Sequence, residues 1–89
     1  MPKDIKYYEI TCYTPLNKKR FYFKTASPEE LKKYANKCLR DFEYDDLDLQ
    51  MLKLYGIDEH KYFTDSRYRI EEISKFEFFE EAFEDEDDE

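Results

Sequence analysis

Residues 27–43 carry the clearest structural signal in this 89-residue chain. Ser27 can cap a helix, Pro28 suits the first helical position, and Glu30 completes the pattern of a capping box. Apolar residues then recur at helical spacing, namely Leu31, Tyr34, Ala35, Cys38, Leu39 and Phe42. The pattern predicts an amphipathic helix over 28–43 whose apolar stripe must be covered by the rest of the chain.

Two segments before this helix alternate apolar and polar residues and are rich in β-branched and aromatic side chains. Residues 5–14 and 20–25 therefore predict strands, and Pro and Asn within 15–19 predict the turn of a β-hairpin. Alternation assigns one set of side chains to the face that packs on the helix: Tyr8, Ile10, Cys12, Phe21 and Phe23. The opposite face then carries Tyr7, Glu9, Thr11, Tyr13, Arg20, Tyr22 and Lys24.

The segments after the long helix are less regular. Within 45–55 we expect a short second helix capped by Asp45 or Asp46 and ended by Gly56, although alternating leucines leave a strand open. Residues 57–65 are expected to form a turn of helix or an ordered loop. Residues 67–74 favour a third strand, with a terminal helix as the alternative because apolar residues also recur there at helical spacing.

The expected fold class is therefore α+β, with the elements in the order ββααβ. A small antiparallel sheet, made of the hairpin and the third strand, packs against one long amphipathic helix and a short second helix. We expect a single domain over 1–76. Residues 77–89 are expected to form an acidic, Phe-containing tail that is partly disordered, because its like charges repel one another.

The composition favours a chain that folds in the cytoplasm. Nine Tyr and eight Phe supply enough large side chains for a small core, and both cysteines are expected to be reduced and buried. No apolar run approaches the roughly 20 residues that span a bilayer, and residues 1–4 lack the pattern of a signal peptide. We expect a bacterial cell, or one infected by a phage, and no contact with a membrane.

The charge of the chain is divided along its length. Residues 1–40 hold ten Lys or Arg and four Asp or Glu, a balance of +6, whereas residues 41–89 hold five and nineteen, a balance of −14. Such a division predicts an electrostatic partner or the association of the two halves with each other.

Groups that support catalysis or metal binding are scarce in the sequence. His60 is the one histidine and lies in a polar stretch, while Gly56 is the one glycine, so a glycine-rich phosphate loop is excluded. The acidic residues of 41–48 lack the glycine and the closing glutamate of a calcium-binding EF-hand loop. We therefore expect a protein that is not an enzyme and has no catalytic residue, metal or cofactor.

Two acidic groups remain as candidates for binding a partner. One lies in 41–48, and the other in 77–89, where nine of thirteen residues are Asp or Glu. Phenylalanines in the second group could serve as apolar anchors beside the carboxylates. The expected partner-binding residues are Asp41, Glu43, Asp45, Asp46, Asp48, Glu77, Phe78, Phe79, Glu80, Glu81, Phe83, Glu84 and Asp85.

The leading functional hypothesis is a binding or inhibitor protein that presents this acidic surface to a basic partner. In overall character, though not through a motif, the chain resembles phage-encoded inhibitors of bacterial defence nucleases, such as anti-CRISPR and anti-restriction proteins. The resemblance implies a nucleic-acid mimic whose carboxylates pair with the Arg and Lys of a nuclease complex that normally hold phosphates. It supplies no site residues.

Two alternatives stay open. In the first, the chain is a nucleic-acid-binding module that uses its basic half, and the acidic tail acts as an autoinhibitory gate. The residues of that half are Lys18, Lys19 and Arg20 at the hairpin tip, with Lys24, Tyr7, Tyr13 and Tyr22. In the second, it is a salt-sensitive homo-oligomer, such as a homodimer, of structural or regulatory role, in which the positive half of one copy meets the negative half of another.

Overall fold

The computed structural model describes residues 4–82, which form three strands and four helices. Along the chain these are β1 (Lys6–Tyr13), β2 (Lys18–Thr25), α1 (Pro28–Asp46), α2 (Leu49–Leu54), α3 (Glu59–Asp65), β3 (Arg67–Ile73) and α4 (Lys75–Ala82). The expected α+β class is confirmed, as are the hairpin, the long helix, the short second helix and the third strand. Helix α3 is the turn of helix that was one of the two expectations for 57–65, and α4 is an addition to the predicted order.

The sheet is antiparallel and has the strand order β2-β1-β3, so β1 lies in the centre. Ile10 of β1 is opposite Phe21 of β2 and Ile70 of β3, which places all three side chains on one face. This inner face is the one that the alternation predicted, and it packs against α1.

The core lies between the inner face of the sheet and the apolar stripe of α1. It consists of Ile10, Cys12, Leu31, Ala35, Cys38 and Phe42. At its margin the rings of Phe23 and Tyr34 are stacked, with centroids 4.1 Å apart and planes inclined by 12°. Both cysteines are buried and reduced, as expected.

Helix α1 begins with a modified capping box. Ser27 Oγ accepts a hydrogen bond from Glu30 N at 3.3 Å, as predicted. The predicted return contact from Glu30 to Ser27 N is replaced by a relay, because Ser27 N donates to Thr25 Oγ1 at 3.1 Å. Thr25 Oγ1 in turn donates to Glu30 Oε1 at 3.0 Å. The last residue of β2 thereby fixes the start of the helix.

Helix α2 is capped by Asp48, whereas the sequence had favoured Asp45 or Asp46. The reason is that α1 continues to Asp46 and Leu47 is extended, so the next residue able to cap is Asp48, whose Oδ1 accepts from Gln50 N at 3.0 Å. Gly56 follows the helix with φ of +72°, a left-handed conformation that suits glycine and confirms the predicted end.

Helix α4 packs on the outer face of the sheet. Phe78 is 6 % exposed, and its ring centroid lies 5.0 Å from that of Tyr7 and 6.4 Å from that of Tyr22. The described part of the acidic tail, 77–82, is thus helical and packed. Within 4–82, none of the helices combines the length and the apolar character needed to cross a bilayer.

Candidate protein-binding groove

The turn of the hairpin and the end of α1 are joined by a small polar network. Thr14 Oγ1 donates to Asp46 Oδ2 at 2.5 Å and accepts from Asn17 N at 3.0 Å. Asn17 Nδ2 reaches the other carboxylate oxygen of Asp46 at 3.5 Å. Because Thr14 is buried, this network fixes the loop 15–17 against the junction of α1 and α2.

An open depression with a volume of about 920 Å³ lies at this junction. We call it the acidic groove. It is lined by the β1–β2 loop, by the end of α1 and most of α2, and by the turn after α2, that is by residues 15–17, 45–51, 55 and 57. Its walls are therefore contributed by regions far apart in the sequence.

The acidic groove combines negative charge with exposed apolar side chains. Asp45, Asp46 and Asp48 line it, and none of its described lining residues is a Lys or an Arg. Leu49 and Tyr55 also line it and are 55 % and 62 % exposed. Leu54, the last residue of α2, is 74 % exposed but does not line the groove. Apolar side chains that are grouped and exposed in this way are typical of interaction surfaces.

Behind the groove, Tyr62 of α3 fastens the end of α1. Its ring is fully buried and its hydroxyl donates to the backbone oxygen of Glu43 at 2.7 Å. Burial, followed by the nearby Asp46 carboxylate, raises the pKa of Tyr62 to about 12. Burial also raises the pKa of Glu43, by more than its contacts with Ser66 and Arg40 lower it. Tyr62 and Glu43 therefore stabilise the end of α1, which forms part of the groove.

Three of the five acidic residues predicted within 41–48 meet in the groove: Asp45, Asp46 and Asp48. Asp41 is exposed elsewhere on α1 and lies 3.8 Å from Lys37 Nζ. Glu43 is half-buried, and neither it nor Asp41 lines the groove. The predicted acidic group is thus divided by the helical turn, which sends successive residues to different faces.

The second acidic group lies elsewhere on the molecule. Glu77, Glu80 and Glu81 are exposed on α4, Phe79 is 40 % exposed, and Phe78 is buried against the sheet. The buried ring of Phe78 serves the fold and presents little surface to a partner. The predicted residues Phe83, Glu84 and Asp85 lie outside the described residues.

The two acidic groups are therefore separated, one at the turn of the hairpin and the other on the outer face of the sheet. Helix α1 covers the inner face, and the groove lies at the hairpin turn beyond Tyr13. Helix α4 covers the outer face at Tyr7, six residues back along β1, or about 20 Å at the rise of a strand. The groove and the described acids of α4 are therefore two separate acidic patches.

Several groove residues were missing from the sequence prediction. Pro15 and Leu16 were assigned to a turn, and nothing in the sequence indicates which helix end that turn approaches. The sequence did not indicate which side chains of the second helix would be buried, and the structure buries Leu52 and leaves Tyr55 exposed. The exposed apolar side chains of the groove follow from this orientation of α2, in which Leu52 faces inward.

The described residues give little support for a metal or acid–base centre. His60 is exposed on α3. Over 4–82 there is no group of three or more His, Cys, Asp or Glu side chains positioned to hold a metal ion.

No protein-family model, curated protein or solved structure matches this chain.

Proposed function

We propose that this chain is a non-enzymatic binding protein whose acidic groove takes a basic, partly apolar segment of a partner protein. The observation that carries the proposal is the composition of the groove, in which three carboxylates share one concave surface with exposed Leu49 and Tyr55. Charge and apolar surface of this kind complement Arg or Lys side chains, whose long stems are themselves apolar.

The carboxylates of the groove have different roles in this proposal. Asp46 already accepts hydrogen bonds from Thr14 and Asn17, so it contributes its charge and supports the wall. Asp45 is exposed, and Asp48 uses one oxygen to cap α2. These two are the partners for an incoming guanidinium, which binds carboxylates through two parallel hydrogen bonds.

Most of the binding free energy is expected from the apolar anchors. Exposed ion pairs contribute about 0.2–1 kcal/mol each, whereas burial of exposed leucine and tyrosine surface contributes roughly 25 cal/mol per Å². The carboxylates mainly increase the rate of association and select for basic partners. Binding should therefore weaken, but not vanish, as salt is raised.

A finer form of the proposal is nucleic-acid mimicry, in which the partner site is one that normally holds phosphates. An inhibitor of the anti-CRISPR or anti-restriction kind would act in this way. The grouping of Asp45, Asp46 and Asp48 supports it, and the separation of the two acidic groups favours a local contact over a strip of duplex length. The mimic would then occupy one phosphate-binding pocket of its partner.

The test is the double variant Asp45→Asn, Asp48→Asn. Asparagine caps a helix about as well as aspartate, so α2 should persist while the groove loses two charges. Glu77→Gln, Glu80→Gln is the matched control, because it removes two exposed charges from α4, outside the groove. Leu49→Ser tests the apolar half of the groove.

The probe is a synthetic peptide of alternating arginine and leucine, titrated by calorimetry at two salt concentrations. We expect weaker binding with the groove variants and unchanged binding with the control. Equal losses in the groove and control variants would mean that net charge alone attracts the peptide, and would refute the groove.

Mimicry is tested separately with a partner captured by the wild type but not by the groove variant. A double-stranded oligonucleotide should displace the chain from that partner. A partner that holds both ligands at once would refute mimicry and leave the groove proposal standing.

A further inference from the structure

The outer face of the sheet is basic where α4 does not cover it. Tyr13 of β1 is paired across the sheet with Lys18 of β2 on one side and with Arg67 of β3 on the other, and these three residues form one cross-strand row. In the next row on the same face, Thr11 lies between Arg20 and Arg69. Two adjacent rows therefore place a cation on each side of the central strand.

A polar depression of about 240 Å³ lies between these cations. We call it the cation groove, with Lys18, Arg20 and Arg69 as its basic walls and Thr11 in its centre. Glu9 and Glu71 close its other end. Arg67 stands beside it, 5.4 Å from the centroid of the Tyr13 ring. Four positive charges thus face two negative ones.

The cations of this groove lack a close carboxylate in the described part of the chain. The ion pairs within 4 Å among residues 4–82 join Lys37 to Asp41 and Lys61 to Asp65, both on helices away from the outer face. The groove therefore has capacity for an anion that those residues do not supply.

Helix α4 brings the chain to the edge of this groove. Ala82, its last residue, is half-buried one turn after Phe78, which contacts Tyr22. The Glu81 carboxylate lies close enough to contribute to the raised pKa of Tyr22, after burial and Glu9. Arg20 is the next residue on that face of β2, about 7 Å from Tyr22.

We propose that the cation groove binds carboxylate-bearing peptide and that its occupant is the acidic segment 83–89 of the same chain. This segment carries six carboxylates, at positions 84–89. Seven extended residues span up to about 23 Å, enough to pass Arg20 and reach Arg69 on the far strand. The tether also gives the segment an effective concentration on the order of millimolar.

The same features favour the chain's own segment over a nucleic acid. The segment is covalently tethered beside the groove, whereas a nucleic acid must compete from solution, and the six carboxylates at 84–89 supply most of the formal net charge of −8 that repels it at long range. Occupation of the groove also withdraws the acids of 83–89 from any contact with an outside partner. The acidic groove and the exposed glutamates of α4 then remain as negative surfaces of the free protein.

The test places a nitroxide label on the segment through Glu89→Cys in the full chain. Cys12 and Cys38 are 0 % and 5 % exposed, so the label should react with the new thiol alone. Paramagnetic broadening of backbone amide signals then reports where the segment lies. We expect the strongest broadening at Thr11, Arg20 and Arg69, with loss of most of it in 1 M salt, where the Debye length falls to about 3 Å.

Two labelled variants and a control make the result specific. The first changes the five remaining acids of 84–88 to amides and leaves the described residues untouched. The second is Arg20→Gln, Arg69→Gln, and its control, Lys32→Gln, Lys33→Gln, removes equal charge from the exposed side of α1. Both variants should lose most of the broadening at Thr11, and the control should keep it.

Three outcomes would overturn the proposal. The first is broadening confined to α4 in the wild type, and the second is broadening at Thr11 that persists in both variants. The third is that the amide signals of the cation groove are not broadened by the label but shift when single-stranded oligothymidylate is added. That result would assign the groove to nucleic acid.

Discussion

Thr14 and Asp46, 32 residues apart in the chain, are joined by a hydrogen bond of 2.5 Å. The bond attaches the turn of the hairpin to the last residue of α1, and Asn17 adds a second, longer contact to the same carboxylate. Because Asn17 and Asp46 line the acidic groove, the shape of the groove depends on the same contacts that orient the hairpin against the helix.

Asp46→Ala should lower the free energy of unfolding by about 1–3 kcal/mol, because it removes the short, charged acceptor of the buried Thr14 hydroxyl and leaves that hydroxyl only the longer contact of 3.4 Å to Asn17 O. Asp45→Ala removes an equal charge from the neighbouring, exposed position and should change the free energy of unfolding by no more than about 0.5 kcal/mol. Urea denaturation of both variants measures the difference. Equal, small effects would contradict the structural role of Asp46.

Phe78→Ala should lower the free energy of unfolding by about 3 kcal/mol, because the ring is 6 % exposed between Tyr7 and Tyr22. Phe76 lies on the same helix, is 75 % exposed and provides a matched control. Phe76→Ala should change the free energy of unfolding by no more than about 0.5 kcal/mol. If urea denaturation gives the same small loss for both variants, α4 does not pack on the sheet as described.

The stability of the fold should decline in alkaline solution, partly through Cys12. Burial, with smaller contributions from Cys38 and Glu43, raises the pKa of Cys12 from 9.0 to about 12. Between these values the unfolded chain releases the thiol proton while the folded chain keeps it, so rising pH favours unfolding. The stability contributed by the protonated thiol is complete below pH 9 and is lost as the pH rises towards 12.

The measurement is urea denaturation of the wild type and of Cys12→Ala at pH 7 and pH 10, both with reductant. The loss of stability caused by Cys12→Ala should be smaller at pH 10 than at pH 7. A loss that is equal at both values would mean that the thiol ionises as readily in the folded chain as in the unfolded one.

The effect of Glu43→Gln on the free energy of unfolding should become more stabilising as the pH rises. Burial raises the pKa of Glu43, so its protonated form stabilises the fold below the unfolded pKa, and this contribution is lost at higher pH. Relative to the wild type, the free energy of unfolding of Glu43→Gln should therefore be higher at pH 7 than at pH 4. Glu80→Gln, at an exposed position of α4, controls for the change in net charge.

The sequence was most informative where local signals and burial agree. Ser27, Pro28 and the apolar stripe from Leu31 specify α1, and the alternation around Ile10 specifies which face of the hairpin it covers. Helix α2 was harder, because a six-residue helix holds too few turns for its apolar face to be read from periodicity. Long-range packing buried Leu52 and left Leu54 exposed.

The charge of the candidate sites could be predicted from the sequence, but their positions on the folded surface could not. The acids of 41–48 were identified, yet the helical turn sends Asp41 to one face and Asp45 to another. Likewise, Arg67 and Arg69 join Lys18 and Arg20 through pairing of β3 with β1, a contact between distant segments that local charge counts do not reveal.

The strand order β2-β1-β3 has a consequence for synthesis of the chain. The hairpin and α1 are contiguous, so they can associate as soon as they leave the ribosome. One side of β1, however, stays unpaired until Arg67–Ile73 has been synthesised, more than fifty residues after Tyr13. Until then the future central strand is an edge strand with unpaired backbone groups, and it could pair with another nascent chain.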